Sequence, residues 1–596
     1  MAHTDIDEEV YGKVYDARLA RRLLGYLVPY RRAMAVSLAL LGGIGLLELA
    51  GPYLMKVAID QYITPGYWEG LGPIALLYVG VLVGEFALRY WQTYLLNSTG
   101  QQAMHDLRVE LFAHLQRLGL RFFDRHPVGA LMTRLTNDIE ALNEALTSGV
   151  VAILGDVITM VGISIVLVLL DWRLALVTFL VLPLLYAISQ RLQRELRESY
   201  RAIRVRLSRL NAYVQESVSG MAVIQLFNRE RRSYERFDDL NSDHLRASLR
   251  SVFFFSLLYP SVTVVGSLAV AAIIWYGGGQ ALQGALTVGV LVAFIQYLHR
   301  FYEPIRDLAE KYNIMQQAMT SADRIFQLLD EPEEVRNPTA PVRLGEPRGD
   351  IEFDHVWFAY QDEDWVLKDV SFRVAPGESI AFVGATGAGK TSLINLLARF
   401  YDPQRGRILV DGVDLRDLDQ AELRRHLGVV LQDPFLFAGT IEHNIRLQNA
   451  AVTPDQVRQA AERVAAHRFI ELLPRGYQQE VRERGAGLSV GQKQLIAFAR
   501  AIAHNPRILL VLDEATSSVD TETEALITAA LQEVMRGRTT LVIAHRLATV
   551  QHVDRIIVLH KGRIVESGRH AELLARRGLY FRLWELQRHD SLVRSA

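Results

Sequence analysis

"IAFVGATGAGKTSLINLLARF", residues 380–400, runs from an apolar strand-like stretch through a glycine-rich loop into a helix-forming stretch. Gly384, Gly387 and Gly389 let the backbone wrap an anion, with Ala385, Thr386 and Ala388 filling the loop between them. Loop amides and the helix N-terminus supply positive potential there, which suits a phosphate. Lys390 reaches the β- and γ-phosphates of a nucleotide, Thr391 offers its hydroxyl to Mg²⁺, and Ser392 completes the first turn. Farther on, "RILLVLDEA" reads as a buried strand ending in two carboxylates. Asp513 can hold Mg²⁺ through water, and Glu514 is then placed to polarise the attacking water. An apolar strand tipped with acids is common in α/β folds, so its weight comes from the phosphate loop upstream. "TTLVIAHRL" is a second such strand, ending in His545, and a lone histidine there is more often structural than catalytic.

Strand, loop, helix and further apolar strands make residues 350–596 an α/β domain. Before it, "LLDEPEEVRNPTAPVRLGEPRGD" carries four prolines and many charges, so residues 330–349 read as a linker. The chain upstream has a different character. Six apolar runs, roughly 33–59, 72–96, 143–170, 174–193, 252–276 and 284–304, are each about 20 residues or more. That length crosses a hydrocarbon core of about 30 Å. "RLARRLLGYLVPYRR" precedes the first run and reads as an amphipathic helix on the cytoplasmic surface, within a cytoplasmic segment 1–32. The loops "DQYITPGYWEGLG" and "GGGQALQGALTVG" contain no Lys or Arg, so they are expected to face outward.

Residues 97–142 and 194–251 are charged and helical in period, and extend the spans of a 33–329 membrane domain into the cytoplasm. "DRHPVG" and "SVSGMA" break them with Pro or Gly. Short transverse helices are therefore expected near 122–129 and 211–220, at tips able to touch another domain. Glu48 and the Glu85/Arg89 pair fall inside spans, where charge is costly unless buried or wet. Lining a substrate path and pairing internally are both open readings. Pro183, Pro260 and Pro304 can kink their helices.

Composition agrees with two unlike halves. Among 596 residues, 50% are hydrophobic and 22% charged, and mean hydropathy is +0.12. A net charge of -1 supplies no basic field for nucleic acid, so no nucleic-acid partner is expected. Cysteine is absent, which excludes disulfides, thiolate zinc sites and cysteine nucleophiles. The polar, acidic start "MAHTDIDEEVYGKVYD" gives no expectation of a cleavable leader.

The glycine-rich loop, Gln432 in "VVLQDPFLF", "LSVGQKQLIAFARAI", "LLVLDEATSSVD" and His545 occur in an order that resembles an ABC ATPase domain. The resemblance covers essentially the whole chain. "FFDRHPVGALMTRLTNDIEAL" is similar to the first coupling segment of ABC exporters, and "EVRERGAGLS" to their glutamate-bearing loop before the signature. The fold implied is a membrane all-α six-helix exporter domain followed by an α/β P-loop NTPase domain. The function implied is ATP-driven export of an amphiphile (drug-like molecule, lipid or peptide) by alternating access. A lipid flippase of the same architecture is the alternative, with a soluble ABC ATPase of DNA maintenance further off.

Cofactors implied are ATP and Mg²⁺. The resemblance implies that Tyr360 stacks on adenine and that Gln432 touches Mg²⁺ and the attacking water. His545 would hold the γ-phosphate and Glu514. The signature Ser489, Val490, Gly491 and Gln492 would meet the ATP of an opposite subunit, with Asp520 communicating between sites. A half-transporter needs a second half, so the expected partners are another ABC half-transporter, membrane lipids and a small amphiphilic substrate. The expected location is a bacterial inner membrane, with the ATPase in the cytoplasm. Val490 stands where the signature usually has glycine, and an extended backbone would accommodate it. In heterodimeric bacterial exporters, the chain with the catalytic glutamate often carries an irregular signature, so a heterodimer is favoured over a homodimer.

Overall fold

A computed structural model gives the structure of residues 16–431, 433–513, 521–544 and 550–586. The chain divides into two compact units. One holds the residues up to Gln116 together with Val128–Glu331; the other holds Arg117–Pro127 together with the chain from Pro332 onward.

The first unit is helical. Asp16 caps α1 (Ala17–Gly25), its carboxylate accepting the Arg18 amide at 2.8 Å. Leu19, Ala20 and Leu23 form the buried stripe of this short amphipathic helix. Arg22 reaches Asp330 at 2.7 Å and holds that carboxyl below its ordinary range. α2 (Arg31–Ala58) and α3 (Leu71–Leu115) pack against each other, and α3 runs on far beyond span length. After it come α4 (Leu120–Arg125), α5 (Val128–Thr133) and α6 (Ile139–Glu144). A wider turn, Ala145–Val150, leads into α7 (Val151–Leu170). Asp171 caps α8 (Trp172–Phe179), and α9 (Leu182–Ser219) follows. The remaining helices are α10 (Met221–Leu226), α11 (Glu230–Ala272), α12 (Gly278–Leu282) and α13 (Val288–Asp330).

Among the described residues, five helical passages are long and apolar enough to cross a membrane. They are Val28–Ile63, Leu71–Leu115, Val128–Leu170, Trp172–Ser219 and Glu230–Leu282. The sixth expected span falls on α13, which has the length but carries Gln296, His299, Arg300 and Glu303 in its first half. Asp60, just beyond α2, ties the start of α13 in place. It accepts from the Thr287 hydroxyl at 2.6 Å and the Gly289 amide at 2.8 Å, and any Cβ at Gly289 would sit 2.6 Å from it.

The second transverse helix differs from expectation. Residues 211–219 continue α9, because nothing in "NAYVQESVS" breaks a helix before Gly220. The short helix is α10, which begins only after that glycine. The first break does lie at His126–Pro127, where His126 is extended as a residue before proline must be.

The second unit is built on two principal sheets. β1 (Ile351–Ala359) pairs with β2 (Trp365–Val374), and β3 (Ser379–Val383) opens the central sheet. Next come α14 (Lys390–Leu397), β4 (Arg405–Val410), β5 (Val413–Asp414), α15 (Gln420–Arg425) and β6 (Leu427–Val430). Short strands β7 (Gly439–Thr440) and β8 (Glu480–Val481) flank α16 (Ile441–Arg446), α17 (Pro454–Arg463) and α18 (Ala466–Glu471). α19 (Val490–His504), β9 (Ile508–Asp513), α20 (Thr521–Met535), β10 (Thr539–Ala544), β11 (Arg555–His560), β12 (Arg563–Gly568) and α21 (His570–Arg576) follow. The antiparallel sheet runs β2-β1-β4-β5 and the larger one β12-β11-β3-β10-β9-β6.

The central strands are apolar on both faces, as strands covered on two sides must be. In β3, Ile380 and Phe382 enter a core shared with α14 and the antiparallel sheet. Ala381 between them faces the core built with α17 to α20. The proline-rich segment 332–349 is tied down rather than loose. Arg399, buried, donates to the Arg336 carbonyl at 2.9 Å, and Asn337 donates to Asp419 at 2.9 Å.

Candidate functional site

β3, β10, β9 and β6 are parallel neighbours, and β11 joins β3 in the same sense. Their C-terminal ends therefore open on one edge, where ligands of parallel sheets bind. The phosphate loop leaves from β3. Asp513 ends β9 in register with Ala544, the last residue of β10. Glu514 and His545 follow these two strand ends in the sequence. Both lie outside the described residues, as do Gln432 and Asp520, and of Asp513 only the backbone is described.

Gly387 and Gly389 adopt φ of +80° and +97°, the left-handed region that glycine enters without strain. Gly384 is required for another reason: a Cβ there would lie 2.3 Å from the Leu559 carbonyl oxygen. Ala385, Thr386 and Gly387 are exposed, whereas Ala388, Gly389, Lys390 and Ser392 are buried and Thr391 is exposed. Lys390 opens α14, and its Nζ donates to the carbonyls of Gly384 at 2.6 Å and Ala385 at 3.2 Å. A buried ammonium is thus held against the backbone of the glycine-rich loop, directly before the N-terminus of α14. That arrangement can neutralise a polyphosphate.

Tyr360 follows β1 and is half-buried, its hydroxyl 3.1 Å from Ser392 Oγ on the first turn of α14. The expected base-stacking ring is therefore anchored beside the phosphate loop. Its other neighbour was missed in the sequence. Tyr401 meets it edge-on at 5.2 Å, and Tyr401 Oη donates to Asp124 Oδ2 of α4 at 2.5 Å. Burial, followed by that bond, raises the pKa of the Tyr401 hydroxyl, so it stays a donor at neutral pH. Arg121 of α4 lies 3.6 Å from Glu334, and Arg117 is 3.1 Å from Glu333. No short motif marks Tyr401 or Asp124, and their partnership spans 277 positions. Tyr401→Phe is expected to loosen α4 by about 1.5–3 kcal/mol, the worth of a hydrogen bond to a charged group. Hydrogen exchange over residues 120–126 checks this: protection should fall more than tenfold, and unchanged protection would remove the bond from that role.

The signature forms the N-terminus of α19. Ser489 is its N-cap: Ser489 Oγ accepts from the Gln492 amide at 3.2 Å, while Gln492 Oε1 accepts from the Ser489 amide at 2.9 Å. This reciprocal capping box follows from the S-x-x-Q spacing of the signature. Val490 is the first helical residue, not an extended one, and its side chain is 37% exposed. No left-handed backbone is needed there, so valine is accommodated without strain. Gly491 is buried in the first turn.

Residues 34–305 match the family described as ABC transporter transmembrane region, and residues 367–517 match the family described as ABC transporter. The chain is similar to a probable multidrug resistance ABC transporter ATP-binding/permease protein, YheH, of Bacillus subtilis. That likeness is 40% identity over 544 residues, covering 90% of this chain and 80% of the other. It is also similar to an ATP-dependent lipid A-core flippase of Syntrophus aciditrophicus, at 36% identity, covering 96% and 95% of the two chains. Among solved structures, a bacterial Atm1-family ABC exporter with ATP bound is similar with a TM-score of 0.74 and 31% identity. That likeness covers 94% of this chain and 98% of the other.

Proposed function

The chain belongs to the ABC transporter family, and from that premise we propose that it is the hydrolytic half of an asymmetric dimeric exporter. It is an integral membrane protein that binds ATP and couples its hydrolysis to export across a membrane. The observation that carries the finer reading is the strand register, which brings the ends of β9 and β10 level beside the loop leaving β3.

In this reading the loop 384–389, Lys390 and Ser392 cradle the phosphates, and Tyr360 stacks on the base. Thr391, Asp513 and Gln432 offer hard oxygen donors, the set that Mg²⁺ takes alongside phosphate and water. Mg²⁺ when bound supplies charge neutralisation at the β- and γ-phosphates. Glu514 accepts a proton from the attacking water, and His545 orients Glu514 and the γ-phosphate. Ser489, Val490, Gly491 and Gln492 serve the ATP held by the opposite subunit, and Asp520 links the two sites.

The substrate is an amphiphile: a drug-like molecule, a lipid or a peptide, with a lipid flippase as the second reading. The proposed setting is a bacterial inner membrane, with the nucleotide site in the cytoplasm.

Val490 supports asymmetry. The backbone tolerates it, so its consequence lies in what the exposed isopropyl group meets across the dimer. There it replaces a contact that glycine leaves open to the partner's nucleotide. The proposed partner is a second half-transporter without a glutamate after its Mg²⁺-binding aspartate. Expression of this chain alone is expected to give no stable, transporting homodimer. Two equivalent hydrolytic sites in a purified, transporting homodimer would overturn the asymmetric reading.

A further inference from the structure

Within the first unit, α2, α3, α7 and α13 line a half-open cavity of about 760 Å³. Among the described residues, six ionisable side chains line it: Glu48, Glu85, Arg89, Asp156, Arg300 and Lys311. Glu48, Glu85 and Arg300 lie about 15–21 Å along their helices from the nearest loop, at 1.5 Å per residue. That depth is near the middle of a hydrocarbon core of about 30 Å, where each charge costs roughly 2.5–3.5 kcal/mol or more.

The charges are equal in number but unequally paired. Arg89 is shared by Glu48 at 2.6 Å and Glu85 at 3.0 Å, leaving one negative charge in surplus. Glu48 also accepts from the Thr159 hydroxyl at 3.1 Å. Lys311 and Asp156 neutralise each other in a close ion pair. Arg300 has no carboxylate partner among the described residues; its Nη1 donates to the backbone carbonyl of Glu48. That carbonyl needs a donor because Pro52, four residues on inside α2, has no N–H to give it. One donor satisfies the carbonyl, and the guanidinium keeps four others and its whole charge.

A purely structural ion network in lipid is closed and packed, since an open one leaves charge uncompensated. This one surrounds a volume within the range of ligand pockets, about 300–1,000 Å³. We infer that the cavity binds the zwitterionic headgroup of a single amphiphile. Its ammonium would lie against Glu48 and Glu85, and its phosphate or carboxylate against Arg300. Separated surpluses of opposite sign among the described side chains, Glu48 with Glu85 on one side and Arg300 on the other, match a headgroup with separated charges. A simple cation finds only the acids, and a simple anion only Arg300. The inference rests on the reading of the chain as an exporter half and names the substrate class.

The test uses the full-length chain purified in maltoside micelles, whose headgroup is uncharged. Three probes with the same dodecyl chain are titrated below their own micelle concentrations: dodecylphosphocholine, dodecyltrimethylammonium and dodecyl phosphate. Binding is read by intrinsic tryptophan fluorescence without nucleotide, so failure of the ATP-driven reading leaves the result intact. Dodecylphosphocholine is expected to bind at least tenfold more tightly than the other two. Glu85→Gln and Arg300→Gln should each weaken it at least tenfold, and Arg300→Lys should retain most of the affinity. Equal affinity for the cationic or anionic probe would overturn the inference. So would a change of less than twofold in both Gln variants, or a loss with Arg300→Gln that Arg300→Lys shares in full, which marks a packing role.

Discussion

Glu514→Gln is expected to keep ATP binding and to lower steady-state ATP turnover about a thousandfold, within the range a general base contributes. The amide has nearly the size of the carboxylate, so the loop leaving β3 and the Lys390 ammonium meet the phosphates as before. What is lost is the basic oxygen that takes a proton from water as it attacks. Asp513 stands one residue earlier and is committed to the metal in the proposed arrangement, so it supplies no substitute. In an asymmetric dimer the second site does not rescue turnover. Phosphate release and nucleotide retention, measured on the same purified complex, separate the two effects. Near-normal hydrolysis with the opposite site also disabled would remove Glu514 from this role.

Lys390→Ala is expected to produce the reverse pattern, with nucleotide affinity falling about 100-fold and turnover lost as a consequence. Lys390 is only 5% exposed, and its Nζ already bonds the carbonyls of Gly384 and Ala385. Removing a desolvated charge that faces an anion costs about 2–5 kcal/mol, a factor of roughly 30 to several thousand. The loop loses internal ties as well, so part of the effect comes from poorer preorganisation. Fluorescent-nucleotide titration reads the affinity, and a dissociation constant within threefold of the parent would refute the assignment.

The candidate phosphate loop was legible because its parts are short and local. Eight consecutive residues carry the phosphate loop, and the strand before it and the helix after it follow from hydrophobic pattern alone. The membrane charges were legible only in part. Glu85 and Arg89 are four apart on one helix and do pair, as spacing predicts. Glu48 joins them from 41 positions away, and Asp156 meets Lys311 across 155 positions. Neither partnership leaves a local signal, and Arg300 gains its meaning only beside the carbonyl that Pro52 leaves bare. The displaced transverse helix shows the same limit on a smaller scale. A break was visible near Gly220, but the expectation placed the short helix before the glycine, where no residue of 211–219 interrupts α9, rather than after it.

The excursion of Arg117–Pro127 into the second unit orders events in time. The ribosome completes α4 long before it reaches Tyr401, the residue that receives Asp124. At about 5–20 residues per second, the wait is on the order of tens of seconds. During that interval Asp124 lacks the Tyr401 hydroxyl from which it accepts in the finished structure. The membrane helices on either side of the excursion must be inserted while the segment between them is still unpartnered. Final assembly is then a docking of a late-made domain onto an early-made tip. A soluble domain produced from residue 332 alone would be born without the piece of chain that closes its surface at Tyr401.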